Sequence, residues 1–360
     1  MATRLTGLLK ASTSLSGYQV HCDSITIHDW DREIVYFQDA TINQTWSFGA
    51  SLSGASNLSH IVVRRDNAIA AMAQVRIVRI PVLNRGMAYL AWGPLWHRSG
   101  HERDYDALWE ILQALRSEYA GRRKLYLEIK PNIWNIDPEA DDICRLFIEA
   151  GFRRLPSVDH TFIRSIRPDL AEIRKQLAQK WRNQLNYAQK HGLATITGTA
   201  DDLLDRFSHV YREMVNRKNY VKPVDIAQFI LMSKQLPPIL KPLVVLASLD
   251  EQVLAGAIFS VIGNTGIYLL GATGTKGLDN KASYIVQWRA IEWMKEHGIN
   301  AYDLGGTDCI KTPGTYHFKA GVCGNRPCEQ TRLGTFVAHS GQVSRSLVSL
   351  GRFVCRLKII

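Results

Sequence analysis

Tyr302-Asp303-Leu304-Gly305-Gly306, followed after a short gap by Tyr316-His317-Phe318-Lys319-Ala320-Gly321, decides how this chain reads. A strand ending in Asp-Leu-Gly-Gly leaves two glycines where the backbone turns sharply or lies against a ligand. Glycine alone reaches positive φ without a Cβ clash. Lys319 then brings a cation to that opening, an arrangement suited to a negatively charged substrate or a developing oxyanion. Asp303 either orients Lys319, takes a proton from an attacking ammonium, or caps the Gly305-Gly306 turn through its side chain. The competing reading makes both glycines plain turn residues and Lys319 a solvated strand charge.

The strand at 301–304 closes a longer pattern: a strand at 243–248, a turn at Asp250-Glu251, a return strand at 253–261 and a third at 267–270. A helix at 283–296 follows and stops at His297-Gly298. The first half shows the same order. Strands at 60–65 and 68–80 flank Asp66-Asn67, and a third lies at 87–92. A helix then carries Leu108, Ile111, Leu112 and Leu115, before a strand at 125–129 and a helix ending at Gly151. Tyr89 and Tyr268 are 179 residues apart, as are Trp109 and Trp288, so the register points to duplication. Between the copies lie a basic helix at 170–191 and helices at 203–215 and 224–236, the last stopped by Pro237-Pro238. The expected division is 1–167, 168–338 and a basic tail at 339–360. A meander leading into a strand–helix–strand crossover is α+β. Its order is that of the Gcn5-related N-acyltransferase (GNAT) fold, here two GNAT-like domains in tandem.

Composition bounds the function. At 360 residues, with 46% hydrophobic and 21% charged, the chain is a globular protein long enough for two cores. No apolar run approaches the roughly 20 residues that span a bilayer. Six cysteines are scattered without a Cys-x-x-Cys pair, so reduced thiols in a cytosolic protein are expected and a zinc site is not. The net charge of +11 points to nucleic acid, a phosphorylated substrate or an anionic membrane face. Seven Lys/Arg against two acids fall in 164–190, and eight against one in 311–360. The tail sets Leu347, Leu350, Val354 and Leu357 on one stripe beside Arg345, Arg352, Arg356 and Lys358. Such a helix either lies in a membrane interface or packs on the second domain.

The closing motifs, with Lys180-Trp181-Arg182, Arg217-Lys218-Asn219-Tyr220, Gly256-Ala257, Tyr268 with Gly271-Ala272, and Gln287-Trp288, resemble the Fem-like (FemABX-type) aminoacyltransferases that build peptidoglycan cross-bridges. The resemblance covers about 173–324. It implies a cytoplasmic enzyme, possible contact with the inner face of the plasma membrane, and transfer of an aminoacyl or acyl group to a primary amine on a cell-envelope precursor. It implies aminoacyl-tRNA as donor and no bound cofactor. Phe318 and Lys319 would then lie near the reacting carbonyl and the tRNA end, with Arg217, Tyr220 and Tyr268 holding the phosphorylated acceptor. The chain departs from the pattern at Phe48-Gly49-Ala50, where the cross-bridge enzymes tend to carry a phosphate-contacting lysine, so the first domain reads as a degenerate acceptor side.

The residues themselves leave alternatives. Arg217 offers a bidentate fork for phosphate or only complements a helix dipole. Lys180 and Arg182 meet phosphate, nucleic acid or only water. Tyr89, with Trp92, is placed as a wall of the acceptor groove. An acyl-CoA N-acyltransferase acting on an amino sugar in exopolysaccharide assembly is the alternative function. Against it, the loop 273–283 has Gly274 and Gly277 but not the Gln/Arg-x-x-Gly-x-Gly/Ala pattern. A non-catalytic RNA-binding protein would use the basic helix, yet the aromatic signatures of an RNA-recognition module are missing.

Overall fold

The computed structural model describes residues 17–80, 85–157, 159–218, 224–324 and 328–339. Tyr220 and the tail stripe lie outside them. The strands in chain order are β1 (Tyr18–Cys22), β2 (Leu58–Arg65), β3 (Ala68–Ile80), β4 (Arg85–Ala91), β5 (Tyr126–Lys130), β6 (Arg153–Leu155), β7 (His160–Ser165), β8 (Ala194–Gly198), β9 (Leu243–Leu249), β10 (Gln252–Ser260), β11 (Thr265–Thr273), β12 (Ala301–Gly306), β13 (Glu329–Thr331) and β14 (Thr335–Ala338). They form two seven-stranded sheets, β1-β2-β3-β4-β5-β14-β6 and β13-β7-β12-β11-β10-β9-β8. The helices are α1 (Ile27–Ile34), α2 (Trp46–Ser53), α3 (Tyr105–Leu115), α4 (Ala140–Glu149), α5 (Leu170–Gln176), α6 (Gln179–Lys190), α7 (Asp201–Lys218), α8 (Ile226–Gln235), α9 (Thr275–Asp279), α10 (Ala282–Glu296) and α11 (Pro313–Cys323).

The duplication is visible in the turns. Asp66-Asn67 and Asp250-Glu251 all take positive φ, from 47 to 65°, the left-handed pair that matches the twist of a two-residue hairpin. The two halves exchange strands, however. β7 precedes the expected boundary at Arg167-Pro168 yet pairs with β12 and β13 in the second sheet. β14, beyond the second unit's last helix, returns to the first sheet between β5 and β6. Hydrophobic pattern specifies that a strand is buried but not which of two like sheets receives it.

Three cores follow. One packs α3 and α4 on the first sheet through Leu108, Ile111 and Phe147. Another packs α6, α10 and α11 on the second through Trp181, Ile291 and Val322. The third joins the units, setting Trp30, Ile34, Phe37 and Phe48 against Leu204, Phe207, Phe229 and Ile258. Gly263 (φ +71°) belongs to this seam: a Cβ there would stand 2.5 Å from Gln38 O, while Asn264 N donates to the same carbonyl at 3.0 Å.

The expected single helix at 170–191 is two helices. Leu177 and Ala178 are extended (ψ 149° and 142°) because Ala178 N leaves the helical ladder to donate to Gly321 O of α11 at 3.0 Å. Arg182 compensates by donating to the carbonyls of Lys175 and Leu177. Arg164 is not part of a surface charge run. It is 3% exposed and donates to Val322 O, Ile173 O and Gln176 Oε1, fixing α5 and the end of α11 to β7.

In the first unit, His60 stacks on Trp46 (centroids 3.9 Å) and meets Trp30 edge-on, with Nε2 3.0 Å from Gln74 Oε1. Burial pushes its pKa down from 6.5 to about 4. The unfolded chain therefore binds more protons between those values, and the contribution is present above pH 6.5 and lost as pH falls toward 4. Between pH 7 and pH 5 the unfolding free energy of the wild type should fall by about 2 kcal/mol more than that of His60→Gln, as denaturant titrations at the two pH values would show. Equal slopes in the two proteins would refute this.

Candidate active site

Two parallel strand pairs occupy equivalent places in the two sheets, and they end differently. β4 and β5 stay in register over all of β5, from Met87↔Tyr126 to Ala91↔Lys130. β11 and β12 pair only at Thr265↔Ala301, Gly266↔Tyr302 and Ile267↔Asp303. β11 runs on to Thr273 while its register with β12 stops at Ile267↔Asp303, so the two strands diverge beyond that pair and leave a gap between them. Backbone N–H groups at such a gap are fixed donors for a carbonyl oxygen.

At the mouth of this gap β12 turns at Gly305, whose φ is +73°. A Cβ there would stand 2.6 Å from Tyr268 O, so both the turn and the close approach require glycine. Pro313 then opens α11, as a residue with no N–H to lose suits a first turn, and the helix stops at Gly324 (φ +67°). The segment carrying Lys319 is thus a helix. Lys319 is no solvated strand charge: it is 6% exposed, and its Nζ donates to Gly306 O at 2.7 Å and Gly305 O at 3.1 Å. The ring of Tyr268 lies 5.5 Å from the same nitrogen. Burial lowers the Lys319 pKa from 10.5 to about 8, partly offset by the Asp303 charge. An ammonium with two protons committed to carbonyls keeps a third for a substrate.

Asp303 is 2% exposed. Its Oδ1 accepts from Gly305 N at 2.8 Å and from Thr161 Oγ1 at 2.5 Å, so the carboxylate caps the turn that seats Lys319. Tyr268 is half-buried and its hydroxyl lies against the α-carbon of Gly271; a Cβ at Gly271 would meet it at 1.7 Å. Phe318, one residue before the lysine, belongs to an aromatic group with Tyr284 (5.1 Å) and Trp181 (6.1 Å). The fold therefore brings together Lys319, Asp303, Gly305, Gly306 and Tyr268, with Phe318 beside them.

Other expected residues lie apart. Arg217 reaches the far end of β11, where it donates to Thr273 O at 2.7 Å, roughly 16 Å along the strand from Tyr268. Arg182 is occupied in closing the α5–α6 junction, and Lys180 is exposed on α6. Tyr89 is 3% exposed, with the Arg76 guanidinium 4.9 Å from its ring; it is a buried residue of the first sheet rather than an open groove wall. At Phe48-Gly49-Ala50 the chain is used for packing: Phe48 enters the core between the units, and Gly49 lies directly under the Gln74 amide.

Two residues that local sequence does not single out complete the neighbourhood. Thr161 comes from β7. Arg332, on the link from β13 to β14, is 4% exposed between Trp92 and Trp134 (3.6 and 4.0 Å to the ring centroids) and donates to Asn132 Oδ1 at 2.9 Å. Burial pushes its pKa down to about 10, against the charges of Asp303 and Asp159. Neither residue sits in a motif; only the strand exchange brings them here. Among the described residues no cluster of His, Cys, Asp and Glu is placed to hold a metal ion, and no helix is long and apolar enough to cross a membrane.

Residues 171–320 match the acetyltransferase (GNAT) domain family. The chain is 24% identical to a lipid II:glycine glycyltransferase of Staphylococcus saprophyticus subsp. saprophyticus over 73% of its own length and 78% of the relative's. It is 26% identical to the protein of the same name from Staphylococcus epidermidis, over 69% and 75%. Among solved structures, FemX superposes with a TM-score of 0.74 at 16% identity, covering 93% of this chain and all of that one.

The burial of Lys319 gives a direct expectation. In protein carrying ¹³C-labelled lysine, one side chain should titrate near pH 8, and its signal should be missing from Lys319→Met. A spectrum in which every lysine titrates near 10.5 would contradict the site geometry.

Proposed function

We infer that this chain, a Fem-like acyltransferase built from two GNAT-fold units, transfers an aminoacyl group from a charged tRNA to a primary amine on a lipid-linked peptidoglycan precursor. The observation that carries the reading is the buried Lys319 ammonium, seated by the Gly305 and Gly306 carbonyls at the opening between β11 and β12. The amine attacks the ester carbonyl; the new C–N bond forms, the C–O bond to the ribose breaks, the nitrogen loses a proton and the ribose oxygen gains one. Lys319 and backbone N–H groups of β11 beyond its pairing with β12 stabilise the tetrahedral oxyanion between those events. Asp303, with Oδ1 engaged by Gly305 N and Thr161 Oγ1, holds the seat rather than taking the proton. On this reading Phe318, beside Lys319 in sequence, would meet the terminal base of the donor and Tyr268, within 5.5 Å of the Lys319 ammonium, would meet the acceptor, while Arg217 at the far end of β11 would reach only a more distant part of it. The enzyme would work at the inner face of the plasma membrane, where such an acceptor is anchored.

A donor without CoA is supported by the loop after β11. CoA-using relatives hold a pyrophosphate on the amides that begin the following helix. Here Glu213 Oε1 already accepts from Thr275 N at 2.7 Å, and that bond lowers its pKa. Arg217, one turn further along α7, bonds the same loop. A carboxylate in that position repels a pyrophosphate.

Purified protein incubated separately with charged tRNA and with acyl-CoA, each with amine acceptors, should yield product by mass spectrometry only from the charged tRNA. Lys319→Ala should lower kcat by about 10²-fold with the fold intact. Product from acyl-CoA alone, or a folded Lys319→Ala within threefold of wild type, would overturn the assignment.

A further inference from the structure

The side chain that fixes the lysine seat comes from outside the motif. Thr161 is 2% exposed on β7, and its single hydroxyl proton faces two acceptors, Asp303 Oδ1 at 2.5 Å and Gly305 O at 2.8 Å. Gly305 N in turn donates to Asp303 Oδ1, and Gly305 O accepts from Lys319 Nζ. The four groups form a closed set in which the carboxylate is drawn onto the turn and the carbonyl is aimed at the ammonium. β7 pairs with β12 at Asp303↔Ile163 and Gly306↔Thr161, with an irregularity between those pairs, so Thr161 sits where the ladder breaks to make the turn.

We propose that Thr161 is a positioning residue for Lys319: its hydroxyl ties the Asp303 carboxylate to the Gly305 turn and thereby sets the distance and direction of the lysine ammonium. The proposal rests on the role given to Lys319 above, but its structural part does not need activity to be tested. The charged and titratable groups facing the cluster are Lys319 from α11, Tyr268 from β11, Tyr302 from β12 and Arg332 from the β13–β14 link. Of these, Lys319 is the cation whose seat the turn itself forms. Without the hydroxyl, the carboxylate loses one of its two Oδ1 donors and is free to swing toward the ammonium. An anion drawn closer raises the pKa of a lysine.

The test is the Lys319 titration in ¹³C-lysine protein, compared among wild type, Thr161→Val, which removes the donor at nearly constant volume, and Thr161→Ser, which keeps it. The pKa of Lys319 should rise by at least half a unit in Thr161→Val and return to the wild-type value in Thr161→Ser. In the transfer assay kcat should fall about tenfold in Thr161→Val with acceptor KM within twofold, and recover in Thr161→Ser. An unmoved Lys319 pKa in a folded Thr161→Val protein overturns the proposal, whatever the activity. If Thr161→Val does not fold, Thr161→Ala takes its place. Should neither fold, Thr161 serves stability rather than positioning and the proposal fails. Absence of transfer activity in the wild type would count against the proposed function alone, since the titration still decides the role of Thr161.

Discussion

A lysine ammonium taken almost wholly out of water has to be held by something, and here two consecutive carbonyls hold it. Removing that cation from solvent costs several kcal/mol unless hydrogen bonds replace the lost hydration. The Gly305 and Gly306 carbonyls provide them, and they can do so only because Gly305 adopts positive φ and turns β12 out of the sheet. The rest of the second unit serves this arrangement. Pro313 starts α11 at the right place, Arg164 bonds the carbonyl of Val322 near its end, and Gly321 takes an amide from the broken α5–α6 junction. A helix fixed at several points from outside can present a buried charge at a constant position.

The two units differ where their parallel strand pairs end. Their hairpins and parallel strand pairs correspond, yet β4 and β5 stay zipped while β11 and β12 part after three pairs. A zipped pair consumes its backbone donors in the sheet; a parted pair leaves them for a substrate. The first unit instead spends its polar residues on itself. Gln44 and Gln74 bond the carbonyls of Ala91 and Thr45, and His60 is stacked on Trp46 with Trp30 edge-on to it. Its contribution to the second is structural: the shared core between the units, and the Trp92–Arg332–Trp134 sandwich that pins the returning chain near Asp303.

Much of this was legible in the sequence where the causes are local. The hairpin turns, the three-strand meanders, the helix ended by Gly298 and the glycine pair after Leu304 follow from periodicity and backbone preference, and the tandem α+β architecture follows from their order. Residues 313–323 did not announce a helix, since Gly314, Thr315 and Gly321 are poor helix formers and packing rather than propensity holds them there. The break at Leu177 is imposed by Gly321, more than a hundred residues later. Thr161 meets Asp303 across 142 residues, and Arg332 reaches its site only because the chain crosses back to the first sheet. Arg182 and Arg164 read as free surface charge because a sequence shows the charge and not the carbonyls it satisfies.

In the proposed reaction the acyl carbonyl sits at the opening between β11 and β12, within reach of Lys319. A crystal structure of the protein with a short RNA end carrying an amide-linked aminoacyl group tests it most directly. The carbonyl oxygen should lie within hydrogen-bond distance of Lys319 Nζ, with the acyl group in the gap beside residues 268–273. An aminoacyl group bound against the zipped β4–β5 pair, or one that leaves Lys319 bonded only to Gly305 and Gly306, would contradict it.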